Sequence, residues 1–494
     1  MRIQRQLVAS ILVCTLLLSL ITKAESDPSD RRPTFAELEN TISTLMTAGD
    51  VPGLSIVVIQ NARVAWHKDF GRANASTNQP VKPATVFEAA SLSKPVFAYC
   101  VLRLVDKGKL DLDTPLARYM PKPYVEDDPN VAKITARFVL SHRTGFPNWR
   151  GREALRTNFT PGERFSYSGE GFVYLQRVIE QLTGEPLDAV VKREVFVPLG
   201  MTSSSYVWQE SFGELKATGH DTAGGSRPRR EKIEANAAAS LHTTTSDYAK
   251  FVIAILNRTG LKKSTFAAML RPQIQVDEAC SNCVSNKPSG KLSTTISWGL
   301  GWGLQQSNGI QSFWHWGDNG DIHTFVMGSQ KDRSGVVIFT DSGNGHSIIP
   351  SILEKTYDRQ QPLSSWIHYE AYNSPAKTLL RSILVDGVAA LSRYETDREK
   401  NPSIGLNEQS TNGLGYALLN RGKLPESIEV FKLNVKDHPT SGNTYDSLGE
   451  AYLKAGEKTR ALESYKKAIE VEPKYPGAAD AQKIISDLEK APKD

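Results

Sequence analysis

Three kinds of hydrophobic pattern follow one another along this chain. An uncharged apolar run spans Leu7 to Ile21, a mixture of helical stripes and β-rich runs fills the middle, and a helical pattern with a fixed repeat occupies the end. In the middle region Val96, Phe97, Val101, Leu102, Leu104 and Val105 recur at helical spacing and predict a buried helix. Lys107-Gly108-Lys109, followed by Asp113-Thr114-Pro115, supplies basic residues, a glycine and a turn to stop it. A second helical run extends from Phe172 to Leu182, after the Pro161-Gly162-Glu163 turn. Val51-Pro52-Gly53-Leu54-Ser55 opens a first strand. Ile322–Ser329 and Gly335–Asp341, rich in β-branched and aromatic residues, predict two more, and His315-Trp316-Gly317-Asp318 falls on an edge strand just before them.

From Leu406 the sequence repeats with a shift of 34 residues: Leu414 and Gly415 recur as Leu448 and Gly449, Ala417 as Ala451, Gly422 as Gly456, Phe431 as Tyr465, and Pro439 as Pro473. This period and pattern resemble tetratricopeptide repeats, which are helix pairs stacked on one another. Gly422 and Gly456 then fall at the turn within each pair, with Phe431 and Tyr465 between helices. Two units bury little surface alone. A helix over Ala376–Arg398 is therefore expected to cap them and dock to the preceding domain, with Lys474–Lys490 as a final solvating helix and Asn373-Ser374-Pro375 at the boundary. Such a tail either offers a small concave face to a protein or peptide partner or serves only as a stabilising or dimerising cap.

Arg2 and Arg5 precede the first apolar run and Thr22-Lys23-Ala24 follows it, which predicts a secretory signal peptide over residues 1–24, cleaved near Ala24. A periplasmic or secreted protein is expected, with no stable membrane span after cleavage. With 494 residues, 39% hydrophobic and 23% charged, the chain can bury one sizeable core and carry a second domain. The formal charge of +5 falls to +2 without Arg2, Arg5 and Lys23, so nothing points to nucleic acid or a membrane surface. Cys100 lies on the predicted buried helix. Cys280-Ser281-Asn282-Cys283 has too few neighbouring ligands for a zinc site, and an oxidising compartment favours a local disulfide there. No metal or other cofactor is expected.

The chemistry centres on Ser91-Leu92-Ser93-Lys94, where the predicted helix begins. A serine in the first helical turn lies beside free backbone N–H groups, and a lysine three residues on shares its face. Such a lysine accepts the serine's proton at neutral pH only if burial or a neighbouring cation lowers its pKa. Ser-x-x-Lys alone is a weak signal, since Ser374–Lys377 and Ser464–Lys467 also match it. Phe165-Ser166-Tyr167-Ser168-Gly169 adds a tyrosine placed to project into a cleft, and His315-Trp316-Gly317-Asp318 adds a histidine and a glycine that lets substrate backbone come close.

Ser-x-x-Lys, then Tyr-x-Gly, then His-x-Gly, in this order, resembles the penicillin-recognising serine hydrolases, and most of all the class C β-lactamase-like esterases and peptidases. The resemblance covers roughly Phe35 to Leu363, with supporting segments such as Ser141-His142-Arg143-Thr144-Gly145 and Thr243-Thr244-Thr245-Ser246-Asp247. His142 and Asp247 are read as structural. The resemblance implies an α/β (α+β) β-lactamase/DD-peptidase-like domain over residues 33–365, an antiparallel sheet flanked by helices plus a helical subdomain. A linker and capping helix over 366–405 and the all-α repeat tail over 406–490 follow. It also implies that Ser91 is the nucleophile, that Lys94 and Tyr167 share general-base and general-acid duty, that His315 is a further catalytic residue, and that the backbone N–H groups of Ser91 and Asp318 form the oxyanion hole. Trp316 and Gly317 belong to the strand along which substrate lies.

Two departures shape the expected activity. Gly169 stands where many relatives carry an asparagine that binds the acyl side chain, and His315 replaces a lysine that attracts a substrate carboxylate. A neutral imidazole near Asp318 and Asp321 is a poor anion site. An exported serine hydrolase acting on a small neutral ester, or on a peptide presenting an amine, is expected. The alternatives are a peptidoglycan carboxypeptidase or β-lactamase and, in another class, a non-catalytic cell-wall or peptide binding protein.

Overall fold

The computed structural model describes residues 33–490, apart from 152, 223, 228–230, 232, 285–287 and 358. The expected signal peptide lies outside the described residues, among which no helix is long and apolar enough to cross a membrane. After helix α1 (Phe35–Ala48), strands β1 (Gly53–Gln60), β2 (Arg63–Asn74) and β3 (Gln79–Pro80) form one side of a sheet. A helical region follows, containing the short ladder of β4 (Phe87–Glu88) with β7 (His242–Thr243) and that of β5 (Gly219–His220) with β6 (Ser226–Arg227). Strands β8 (Ile274–Asp277), β9 (Leu292–Trp298), β10 (Gly303–Ser307), β11 (Ile310–Asp318), β12 (His323–Ser329) and β13 (Ser334–Thr340) complete a nine-stranded sheet in the order β3-β2-β1-β13-β12-β11-β10-β9-β8. Its paired strands are antiparallel throughout.

Both faces of the sheet are covered, which is why the buried part of β1 reads as a nearly continuous apolar run rather than an alternation. Val57, Ile59, Phe313, Val326, Val337 and Phe339 face the helical region, against α2 (Ser93–Asp106) and neighbours of α3 (Ala136–Leu140) and α4 (Gly169–Thr183). Ile56, Val58, Trp314, Phe325, Met327 and Ile338 face the other way, onto α1 and α5 (Ile349–Thr356). The period of two along each strand sorts these sets.

The strand expected at an edge is internal. β11 pairs with β12 as far as Asp318, but its pairing with β10 ends at Trp314, opposite Gly303. Only His315–Asp318 project past β10. That local edge faces the 3-10 turn Ala90–Leu92 that precedes α2.

In the tail, the single capping helix expected over Ala376–Arg398 is two helices, α6 (Pro375–Asp386) and α7 (Ala389–Lys400), broken at Gly387 with φ 61°. Ser374 caps α6 by accepting the Lys377 N–H at 3.2 Å, and Lys377 Nζ reaches Asn344 Oδ1 of the first domain at 2.6 Å. The helix pairs α8 (Glu408–Leu419) with α9 (Leu424–Asp437) and α10 (Gly442–Lys454) with α11 (Lys458–Val471) keep the 34-residue register, and α12 (Ala478–Lys490) closes the stack. Gly422 and Gly456 adopt positive φ at the two turns. Phe431 and Tyr465 are buried against Gly415 and Gly449, where an added Cβ would lie 2.4 and 3.1 Å from their rings. Close helix approach explains why those glycines repeat.

Candidate active site

Strand β4 leads into a 3-10 turn, Ala90–Leu92, that enters α2. Ala90 has φ 49°, a left-handed conformation costly for a residue with a Cβ, so the surroundings must hold it. They do so through hydrogen bonds. Ala89 N–H donates to Leu241 O at 2.7 Å, Thr324 Oγ1 to Ala89 O at 2.9 Å, and Ser93 Oγ to Ala90 O at 2.6 Å while accepting from Leu241 N–H at 3.0 Å. Tyr248 Oη and Tyr206 Oη donate to the carbonyls of Leu92 and Ser93. Ser91, at the middle of this turn, is thus presented by a frame of buried partners.

Lys94 is fully buried, and its Nζ donates to Ser91 Oγ at 2.9 Å and to Ala238 O at 2.9 Å. Burial holds its pKa well below the ordinary lysine value. Among the described residues its hydrogen bonds go to a hydroxyl and a carbonyl, not to a carboxylate. The Tyr167 ring lies 4.7 Å from the same nitrogen. Its phenol oxygen is buried near the Ser91 hydroxyl without a hydrogen bond of good geometry, and burial raises its pKa despite that neighbour.

His142, read from sequence as structural, stands inside the site. Its ring stacks on Tyr167 with centroids 4.3 Å apart, and its Nδ1 accepts the Ser168 N–H at 3.0 Å while its carbonyl accepts the Ser166 N–H at 2.9 Å. Burial, aided by Lys94 and His315, keeps the imidazole neutral. The Gly169 N–H donates to Asn148 Oδ1 at 2.9 Å, and the half-exposed Trp149 indole fills the space beside Gly169, with its ring 5.8 Å from Lys94 Nζ. Neither Ser93, His142 nor Trp149 carries a sequence signal of its role beyond lying next to a motif.

At the end of β11, His315 is buried, its Nδ1 donates to Trp316 O at 2.7 Å, and burial with the nearby Lys94 pushes its pKa down to about 3. The imidazole is neutral, with an unpartnered Nε2 that is left as an acceptor. Trp316 points to the opposite face and packs on Trp314, while its ring also lies 4.9 Å from Tyr167. Gly317 differs from expectation. A Cβ there would lie 2.4 Å from Ala89 O and 2.2 Å from Thr324 Oγ1, so the absent side chain makes room for the segment entering the Ala90–Leu92 turn.

Asn319 N–H donates to Ile322 O, so by the alternation of an antiparallel ladder the Asp318 N–H points away from β12, past the end of β10. The Asp318 carboxylate accepts from Gly320 N–H at 2.7 Å and lies 3.2 Å from His323 Nε2. Burial raises its pKa, but the hydrogen bonds from His323 and the Gly320 N–H outweigh that and hold it below the usual carboxylate range. His323, His346 and Tyr369 stack behind it.

Two groups of potential metal ligands occur among the described residues. In Asp318, His323 and His346, His323 Nδ1 accepts the His346 N–H at 3.2 Å, which places its proton on Nε2, toward Asp318. Both ring nitrogens are thereby committed. In Asp277, Cys280 and Cys283 the two sulfurs are joined as a disulfide. The other two Ser-x-x-Lys matches build no site: Ser374 is a helix cap, and Lys467 pairs with Glu470 on the surface.

Comparison with known proteins gives this geometry a context. Residues 38–348 match the family model described as Beta-lactamase. The chain is 27% identical over 225 residues to esterase EstB of Burkholderia gladioli (38% of this chain, 57% of the relative). It is 28% identical over 173 residues to penicillin-binding protein 4* of Bacillus subtilis (30% and 37%). It thus spans less than two thirds of either curated relative. In fold it is similar to the octameric penicillin-binding protein homologue from Pyrococcus abyssi, with TM-score 0.56 and 22% identity over 71% of this chain and 82% of that one.

Proposed function

This chain belongs to the beta-lactamase family, and from that membership we propose that it is a serine hydrolase transferring the acyl group of a neutral ester, or of a peptide presenting an amine, to water through Ser91. The observation that carries the reading is the buried Lys94 Nζ, depressed in pKa and 2.9 Å from Ser91 Oγ. An amine in that state takes the serine proton at neutral pH. The Ser91 Oγ attacks the substrate carbonyl, and the N–H groups of Ser91 and Asp318 receive the oxyanion. Tyr167 passes a proton to the leaving group, and water completes the cycle by the reverse path with Lys94 and Tyr167 again moving the proton.

Charge favours neutral or amine-bearing substrates. His315 is neutral where relatives present a cation, and the Asp318 carboxylate stays ionised beside the oxyanion hole. Both disfavour a substrate carboxylate. Trp149 offers an aromatic wall to the acyl group in place of a hydrogen-bonding amide. The apolar leader pattern and the Cys280–Cys283 disulfide suit an exported protein, and the docked helical tail suits a cap on the hydrolase domain with one concave face left for a peptide. The test compares kcat/KM for p-nitrophenyl butyrate and a chromogenic cephalosporin. Faster ester turnover is expected, and faster cephalosporin turnover would overturn the substrate assignment.

A further inference from the structure

The extended segment Ser166-Tyr167-Ser168 is held from two sides. Ser166 N–H and Ser168 N–H both donate to His142, to its carbonyl and its Nδ1 respectively. The N–H between them, that of Tyr167, points the other way and donates at 2.9 Å to the carbonyl of Ser281. Ser281 lies between Cys280 and Cys283, whose sulfurs are bonded and buried. Val284 N–H adds a second link, to Ser166 Oγ at 3.1 Å.

The base of this loop is anchored as well. Asp277 accepts from Ala279 N–H, Ser289 Oγ and Gly290 N–H, each at 2.9 Å, and its carbonyl accepts from Trp366 Nε1 at 2.8 Å. Between that anchor and Tyr167, the disulfide is the covalent constraint on where the Ser281 carbonyl points. A short ring of this kind removes conformations that an open chain would sample.

We propose that the Cys280–Cys283 disulfide is a positioning device for Tyr167, so that the activity described above is redox-sensitive. The inference rests on the reading that Tyr167 moves a proton at Ser91. A dithiol reductant supplies the two electrons: one of its thiolates attacks a cysteine sulfur, the second closes on the mixed disulfide, and Cys280 and Cys283 leave as thiols while the reductant becomes a disulfide. The loop then loses its ring, the Ser281 carbonyl wanders, and the phenol is no longer held over Lys94. Because the ring fixes a proton-transfer group rather than a binding surface, the loss falls on kcat.

The test uses the full chain and p-nitrophenyl butyrate before and after dithiothreitol, with iodoacetamide alkylation and intact mass to count the two new thiols. The expected result is a fall in kcat of about tenfold with KM within about twofold, regained on reoxidation, since a misplaced acid–base group loses part of its ~10²–10⁴-fold contribution. A Cys280→Ser/Cys283→Ser variant is expected to match the reduced protein and ignore reductant. In a Tyr167→Phe background reduction should cost nothing further, a non-additivity that general loosening of the fold would not produce. An unchanged kcat in the verified thiol form, or an equal loss in Tyr167→Phe, overturns the clamp alone. No ester turnover by the oxidised protein overturns the underlying reading together with the clamp.

Discussion

The indole of Trp149 stands 2.7 Å from the point that a Cβ on Gly169 would occupy. The indole occupies the space that a side chain at 169 would take, and its ring lies 5.8 Å from Lys94 Nζ. Gly169→Asn alone is expected to destabilise the protein by about 1–3 kcal/mol through overpacking. In a Trp149→Ala background the two nearest contacts are gone and the penalty shrinks, the Asn148 carbonyl 3.0 Å away remaining. Trp149→Ala alone is expected to raise KM for esters with bulky apolar acyl groups several-fold and to leave acetate esters nearly unaffected. Thermal melts and a KM series over acyl length check both.

Lys94 gives a prediction with a sign. Its pKa is depressed in the folded protein by burial, so at pH values between the folded and unfolded pKa the unfolded chain binds the extra proton and stability rises with pH. The same shift places the acid limb of kcat/KM well below about 10.4, the ordinary lysine value. Lys94→Met is expected to raise Tm at neutral and acid pH while lowering kcat by about 10³-fold or more. A pH–rate profile beside a pH–Tm profile for the two proteins measures this.

Gly317→Ala tests the fit of β11 to the Ala90–Leu92 turn. The added methyl meets the Ala89 carbonyl and Thr324 Oγ1, so the strand must move away from Ser91 and carry the Asp318 N–H with it. A displacement near 1 Å is expected to cost roughly 10²-fold in kcat. Steady-state kinetics with a circular-dichroism melt separate this from unfolding.

Much of the site was legible in the chain, for a physical reason. Ser91 and Lys94 sit three apart on one helix, so their meeting is local, and the 34-residue repeat likewise places Phe431 over Gly415 by local geometry. What escaped is non-local. Nothing near Gly317 announces that Ala89, more than 200 residues earlier, fills its side-chain space, or that Ser281 accepts a hydrogen bond from Tyr167. The strained Ala90 is equally silent, because its φ is imposed by Leu241, Thr324 and Ser93. The break of the capping helix rests on Gly387, where a glycine within a helical pattern was compatible with continuation.

Asp341 gives a stability prediction away from the cleft. It is fully buried on the strand end next to Gly53, both carboxyl oxygens lack a well-formed hydrogen bond, and burial raises its pKa well above the usual value. A raised folded pKa means that the folded state holds a proton the unfolded chain releases, so stability is lost as pH rises above about 4 toward the folded pKa. Asp341→Asn removes that titration. Its Tm is expected to match the parent near pH 4 and to exceed it increasingly toward neutral pH.

The central claim, that Ser91 is an activated nucleophile for neutral acyl groups, is tested most directly by intact mass. The protein and its Ser91→Ala variant are each incubated with a neutral phosphonate ester and, separately, with a β-lactam. A phosphonyl adduct on the parent alone, with no lasting penicilloyl adduct, is the result this account predicts. A phosphonyl adduct that persists in Ser91→Ala, or no adduct on either protein, would contradict it.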